Sequence, residues 1–151
     1  MSGYTFSRDP QSVAAVATAH RRIQTAIPTP GTDELLQRLE ACESRSMHGQ
    51  LPLVWDRAED FSVYDFKGNR WIDFTSSIFV ANVGHSNKRV MDATRATLDR
   101  PLYSCYAYAN EARSLYLERL LAFAGSPFEK AFLLSAGTEA TEAALKLMRM
   151  H

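Results

Sequence analysis

The chain has 151 residues, and 17 Lys and Arg balance 17 Asp and Glu to a formal charge of zero. That balance, with no basic stripe, points away from nucleic acid, and no apolar run is long enough to span a bilayer. The polar N-terminus, Met1 to Pro10, is unlike a signal peptide. Cys42 and Cys105, outside any metal-ligand spacing, fit reduced thiols in a cytoplasmic protein without structural zinc, with pairing of the two as the alternative.

In chain order, Asp9 is placed to cap a first helix, with Pro10 in its first turn and Val13, Val16, His20 and Ile23 sharing a face. His20, on that apolar stripe, reads as a core or interface histidine. Pro28, Pro30 and Gly31 break the chain. Thr32 then caps a second helix, with Asp33 and Glu34 in its positive first turn and Leu35, Leu36, Leu39 and Cys42 as its apolar stripe. Phe61 to Phe66 and Arg70 to Phe74 are aromatic and β-branched runs. Lys67-Gly68-Asn69 between them supplies turn chemistry, which predicts a β-hairpin. Ser86-Asn87 caps a helix from Lys88 to Arg100, ended by Pro101. Asn110 caps another from Glu111 to Ala124, with Leu117, Leu120, Leu121 and Ala124 on one side and Gly125 as the residue that closes it. Between these two helices lies an aromatic, alternating stretch in which Tyr103, Tyr106 and Tyr108 are either ligand contacts or a packing cluster.

The last segment, AFLLSAGTEATEAALKLMRMH, carries the most chemistry. Lys130 to Leu134 has the length and apolar content of a buried strand. Ser135 to Thr138 forms a turn of small residues, and Glu139 to Met150 an amphipathic helix with Glu142 and Lys146 paired outside. A helix N-terminus carries unpartnered N–H groups and partial positive charge, which suit a phosphate. Ala136 and Gly137 leave the approach open, and the Thr138 hydroxyl can donate to a phosphate oxygen. Neither a G-x-x-x-x-G-K-[ST] nor a G-x-G-x-x-G pattern occurs, so a cradle at Ala136 to Thr138 would hold some other phosphate. Similar turns also occur in α/β proteins that bind nothing there.

SAGTEATEAALKLMR closely resembles the phosphate-cup segment of class III aminotransferases, enzymes that use pyridoxal 5′-phosphate (PLP). In that family a strand ends in an S/N-[SA]-G-[ST]-E-A turn. The resemblance implies that Ala136, Gly137 and Thr138 hold the cofactor phosphate, with Ala136 standing where the family often has Ser. It also implies that Glu139 orders the cup rather than facing the phosphate. Upstream, Pro52 to Ala93 is similar to the family's N-terminal stretch. Asp65, Gly68, Asn69, Trp71, Ile72 and Asp73 fit its D-x-x-G-N turn and Y/W-I-D strand. Ser76 to His85, SSIFVANVGH, is similar to a family S-G-I-A-V-N…GH segment at the mouth of the substrate pocket, with Ser77 in place of Gly and Phe79 in place of a small residue. Through it Ser76 and Ile78 are expected to bind substrate. His85, paired with Gly84, reads as a histidine that orders a turn, with a catalytic role as the alternative. AIPTPGTDELLQRLEACESRSM resembles the lead-in of the 4-aminobutyrate aminotransferase branch, which crosses toward a partner subunit.

The resemblance implies an α/β fold: the N-terminal part of the fold type I PLP-dependent transferases, with a small-domain β-hairpin and the start of the large mixed sheet. It divides the chain into a helical lead-in (1–50), a hairpin segment (51–87) and the start of the PLP-binding domain (88–151). The complete enzyme is expected to be a homodimeric transaminase, moving an amino group from an amine or ω-amino acid to a 2-oxo acid. Family members are much longer, so this chain reads as an N-terminal fragment. None of Lys67, Lys88, Lys130 and Lys146 stands in the context of the lysine that bonds the cofactor aldehyde. No catalytic residue is therefore expected in this chain, which alone is expected to be inactive. A racemase, aminomutase or decarboxylase on the same scaffold, or a non-catalytic truncated interaction module, is the alternative.

Overall fold

The computed structural model describes residues 6–100 and 107–150, which fall into two units dividing between Asp99 and Arg100. Tyr103, Tyr106 and Cys105 lie outside the described residues, while Tyr108 is exposed.

The first unit is built on a five-stranded antiparallel sheet. Its strands are β1 (Val16–Ala17), β2 (Arg22–Ile23), β3 (Arg57–Glu59), β4 (Ser62–Tyr64) and β5 (Arg70–Ile72), in the order β1-β2-β5-β4-β3. The predicted hairpin is β4–β5, with Ser62 opposite Ile72, Val63 opposite Trp71 and Tyr64 opposite Arg70. Gly68 takes the positive φ of 82° that its turn requires.

A polar cluster fastens this turn to the N-terminal segment. Asp65 Oδ1 accepts from the backbone N–H of Lys67 and Asn69, each at 2.9 Å. Asn69, fully buried, accepts from the Gln24 N–H at 2.8 Å. Its amide donates to Thr25 Oγ1 (2.6 Å), Thr29 Oγ1 (3.0 Å) and Asp65 Oδ2 (2.8 Å), and the Thr29 hydroxyl donates to the same Asp65 oxygen. Buried polar groups are tolerated when partnered in this way. The apolar core beside the cluster contains Ile23, Val63 and Tyr64.

The helix expected from Pro10 to Ile23 is not formed; β1 and β2 stand there instead. Thr18 explains the local turn, since its Oγ1 accepts from the Arg21 N–H at 2.9 Å and closes a hairpin that β-branched Val16 and Ile23 enter readily. Pairing of Arg22 with Arg70 then recruits β2 to the sheet. His20 is accordingly not a core histidine: it is exposed, with its ring edge-on to Phe61 at 5.4 Å.

Helix α1 (Thr32–Glu40) is capped by Gly31, in left-handed conformation at φ 98°, rather than by Thr32, which is buried. Asp33 and Glu34 occupy its first turn as expected. It ends at Glu40, leaving Cys42 exposed and free. Helix α2 (Lys88–Leu98) starts at Asn87, whose side chain accepts from the Arg89 and Val90 N–H groups.

In the second unit, helix α3 (Glu111–Ala124) begins where Asn110 accepts from the Arg113 N–H at 2.9 Å, and Gly125 closes it. Its half-buried side includes the expected Leu117, Leu120 and Leu121. Helix α4 spans Gly137–Met150, beginning two residues earlier than expected. Lys130 to Leu134 is not a strand. A strand exists through its ladder partners, and every strand among the described residues lies in the first unit.

Candidate active site

Asp73 follows β5 and is the hub of the first candidate region. Its Oδ1 accepts from the Thr75 N–H (2.9 Å) and hydroxyl (2.7 Å), and its Oδ2 from the Ser77 N–H (2.9 Å). Oδ2 also lies 2.7 Å from His85 Nε2. The side chain is only 2% exposed, that of His85 14%. Burial alone would push the Asp73 carboxyl up. The hydrogen bonds from His85, Thr75 and Ser77 together outweigh it and bring the carboxyl from 3.8 to about 2. An ionised carboxylate only accepts, so His85 Nε2–H is the donor.

Beyond this hub the backbone does something rare. Ser76, Ser77, Ile78 and Phe79 all have positive φ, from 48° to 67°. With Phe79 N–H bonded to the Thr75 carbonyl and Val80 N–H to that of Ser76, they form one turn of left-handed helix. L-residues resist this conformation, β-branched Ile most of all. Position 77, where the family pattern has Gly, sits at φ 52° and ψ 47°, so the usual glycine suits the backbone found here. Local propensity does not favour such a turn, so surrounding contacts must hold it.

Those contacts include a second fixed point at His85. Asp60 and His85 exchange backbone hydrogen bonds of 2.9 and 2.7 Å. Gly84 permits the approach: a Cβ there would meet the Asp60 Cα at 3.3 Å, and its φ is 86°. Trp55 meets the His85 ring edge-on at 5.9 Å. His85 thus orders a turn, as its sequence context implies.

The left-handed turn stands between two concavities. Ser76 lines a cavity of about 240 Å³ with Asp60, Asp73 and His85. Ser77 and Ile78 border an apolar groove of about 810 Å³ whose wall includes Leu35, Leu36, Trp55 and Trp71. Asp73 belongs to both. Ile78 is 71% exposed.

The second candidate region is the start of α4. Ala140 N–H is the first to bond within the helix, to the Ala136 carbonyl. The N–H groups of Ala136, Gly137 and Thr138, and the Thr138 hydroxyl, have no hydrogen-bond partner among the described residues. A Cβ built on Gly137 meets nothing within 4 Å, so the space before these donors is open. Glu139 reaches back to accept from the Ser135 N–H at 2.9 Å. Its carboxylate is thereby engaged by the turn. Free N–H donors, a hydroxyl and open space fit a phosphate group.

Of the five residues singled out as ligand contacts, Ala136, Gly137 and Thr138 stand together in the second unit, and Ser76 and Ile78 in the first. Ser76 and Ile78 share one turn but line different concavities. Sequence reasoning missed Asp73 as the hub. The signal available was the spacing of a carboxylate at a strand end from a Gly-His pair twelve residues later.

The family model for aminotransferase class-III matches residues 43–151. The 4-aminobutyrate aminotransferase of Mycobacterium leprae is 34% identical over 133 residues, covering 87% of this chain and 30% of the relative. Among solved structures, acetylornithine aminotransferase from Elizabethkingia anophelis superposes with a TM-score of 0.69 at 27% identity, over 80% of this chain and 31% of that one. Taurine:2-oxoglutarate aminotransferase from Bifidobacterium kashiwanohense, solved in complex with PLP and glutamate, gives 0.67 at 26% identity, over 79% and 27%. The chain thus spans under a third of the length of these relatives, and it has the N-terminal part of their α/β fold. With a family match reaching from Glu43 through the α4 turn, the chain belongs to the class III aminotransferases.

Proposed function

We propose that this chain supplies the phosphate cup and part of the substrate-pocket mouth of a PLP-dependent transaminase. Ala136, Gly137 and Thr138 bind the cofactor phosphate, and Ser76 and Ile78 contact the substrate. The observation that carries this reading is the set of unpartnered donors at the start of α4, with open space at Gly137, in a chain of this family. PLP, when bound, supplies a reactive aldehyde and a ring that accepts electrons. The chain's own contribution is to bind and orient: N–H groups and the Thr138 hydroxyl fix the phosphate, while the Asp73-held turn sets one wall of the pocket.

The donor we assign is an ω-amino acid and the acceptor a 2-oxo acid. The named substrates of the relatives (4-aminobutyrate, acetylornithine and taurine) each carry a primary amine remote from an acid group. The lysine that bears the cofactor is taken to lie outside these 151 residues. Lys67 sits in the hairpin turn, and Lys88 and Lys146 are paired with Asp92 and Glu142. On this reading the chain alone is inactive, and the working enzyme is a cytoplasmic homodimer.

The test is cofactor titration of the full-length protein, followed by the change in PLP absorbance. Gly137→Asp places a carboxylate where the phosphate sits and should greatly weaken binding. Gly137→Ala, whose added Cβ meets nothing, controls for folding. Thr138→Ala should weaken binding by ~1.5–3 kcal/mol, one charge-assisted hydrogen bond. Unchanged affinity in Gly137→Asp would remove the cup from this position.

A further inference from the structure

We infer that Asp73 and His85 are positioning residues which act through the left-handed turn Ser76–Phe79 and so set where Ser76 and Ile78 meet the substrate; this rests on the transaminase reading above.

Four successive non-glycine residues at positive φ will not hold the shape of this turn unaided. Within the turn, only two backbone hydrogen bonds from Phe79 and Val80 follow the helical pattern. The entry to the turn is held by one carboxylate. Asp73 takes the Thr75 N–H, the Thr75 hydroxyl and the Ser77 N–H, so Thr75 through Ser77 is wrapped around its two oxygens.

The Asp73 backbone is held by its N–H bond of 2.8 Å to the Phe61 carbonyl, and its carboxylate is held by His85. The His85 ring donates to Oδ2, the same oxygen that holds Ser77 N–H. The His85 backbone is pinned to Asp60 by two hydrogen bonds across the Gly84 contact, and its ring rests against Trp55. The chain of support therefore runs from Asp60 and Trp55 through His85 to Asp73, and from Asp73 to the turn. Ser76 and Ile78 sit at its end, one on each concavity. A shift of the carboxylate moves both walls together. Asp60 also lines the smaller cavity beside this pair, but it bonds to His85 only through its backbone.

The test uses the full-length protein with His85→Gln, His85→Phe and Asp73→Asn. Amide hydrogen exchange of Thr75 to Phe79 reads the turn, and steady-state kinetics with 4-aminobutyrate and taurine as donors read the site. Gln retains an N–H donor of similar reach; Phe keeps the ring volume without it. His85→Phe and Asp73→Asn should speed Ser77 amide exchange at least tenfold. They should also raise the KM for the amino donor about tenfold, with kcat changed by less than threefold. His85→Gln should stay within about threefold of the parent in both readouts. Because Asp73→Asn risks misfolding, the His85 pair carries the decision alone if that variant is insoluble. Unaltered exchange in His85→Phe would overturn the proposal, and so would faster exchange with an unmoved KM, which is the mark of a merely structural role. If the parent protein transaminates none of the donors, the underlying reading fails and takes the proposal with it. That failure is distinguishable, because it appears without any substitution.

Discussion

Substituting Asp73 by Asn isolates what one buried charge does for this fold. The side chain keeps its size but loses its charge and one of its two acceptor oxygens. The carboxyl is held at about 2, against an ordinary 3.8, because the His85, Thr75 and Ser77 hydrogen bonds outweigh burial. A depressed carboxyl stabilises the folded state above its unfolded value, and that stability is lost as pH falls through the folded one. The contribution from ionisation is therefore about 2 kcal/mol at pH 7, roughly half of that at pH 3, and only a small remainder at pH 2. Urea unfolding of the parent protein and Asp73→Asn at several pH values between 5 and 2 measures it. Trp55 and Trp71, the two tryptophans of the chain, both border the groove that Asp73 lines and report on this unit. Taking the difference between the two proteins at each pH cancels carboxylates common to both. The difference should shrink as the solution is acidified. A difference that stays constant from pH 5 to pH 2 would refute the charge argument, leaving only shape.

Two further substitutions probe the frame around the site. Asn69→Ala removes a fully buried amide, takes away the acceptor of the Gln24 N–H and takes one donor each from Asp65, Thr25 and Thr29; it should destabilise the first unit by ~3 kcal/mol in urea unfolding, and a loss below about 1 kcal/mol would show that the cluster re-partners freely. Asn87→Ala removes the acceptor at the start of α2 and should cost about 1 kcal/mol in the same assay, with Asn87→Ser restoring most of it.

Features governed by near neighbours along the chain are legible in the sequence itself. Asn87 and Asn110 cap helices because their side chains reach N–H groups two or three residues away. The β4–β5 turn is likewise set by Asp65, Gly68 and Asn69 within five residues. The segment from Pro10 to Ile23 misleads, because the spacing of Val13, Val16, His20 and Ile23 satisfies a helical period while its fate depends on a partner, Arg70, far along the chain. Lys130 to Leu134 misleads in the opposite sense, since apolar content promises a strand but cannot supply its partner. The open donors at Ala136 to Thr138 are readable as a string of small residues where a helix starts. The left-handed turn is not, because Ser, Ile and Phe carry no preference for it, and the Asp73–His85 contact that holds it spans twelve positions.

The Asn69 cluster also dictates an order of events as the chain is made. Asn69 joins Gln24 across 45 positions, and closing so long a loop must precede any reward from the bonds it makes. The β4–β5 hairpin, closed over a few residues, forms on its own timescale. Gln24 to Thr29, though synthesised earlier than the turn, lacks these partners until Asp65 to Asn69 has emerged and turned. The segment Gln24 to Thr29 thus docks after the hairpin, which is the template on which it settles.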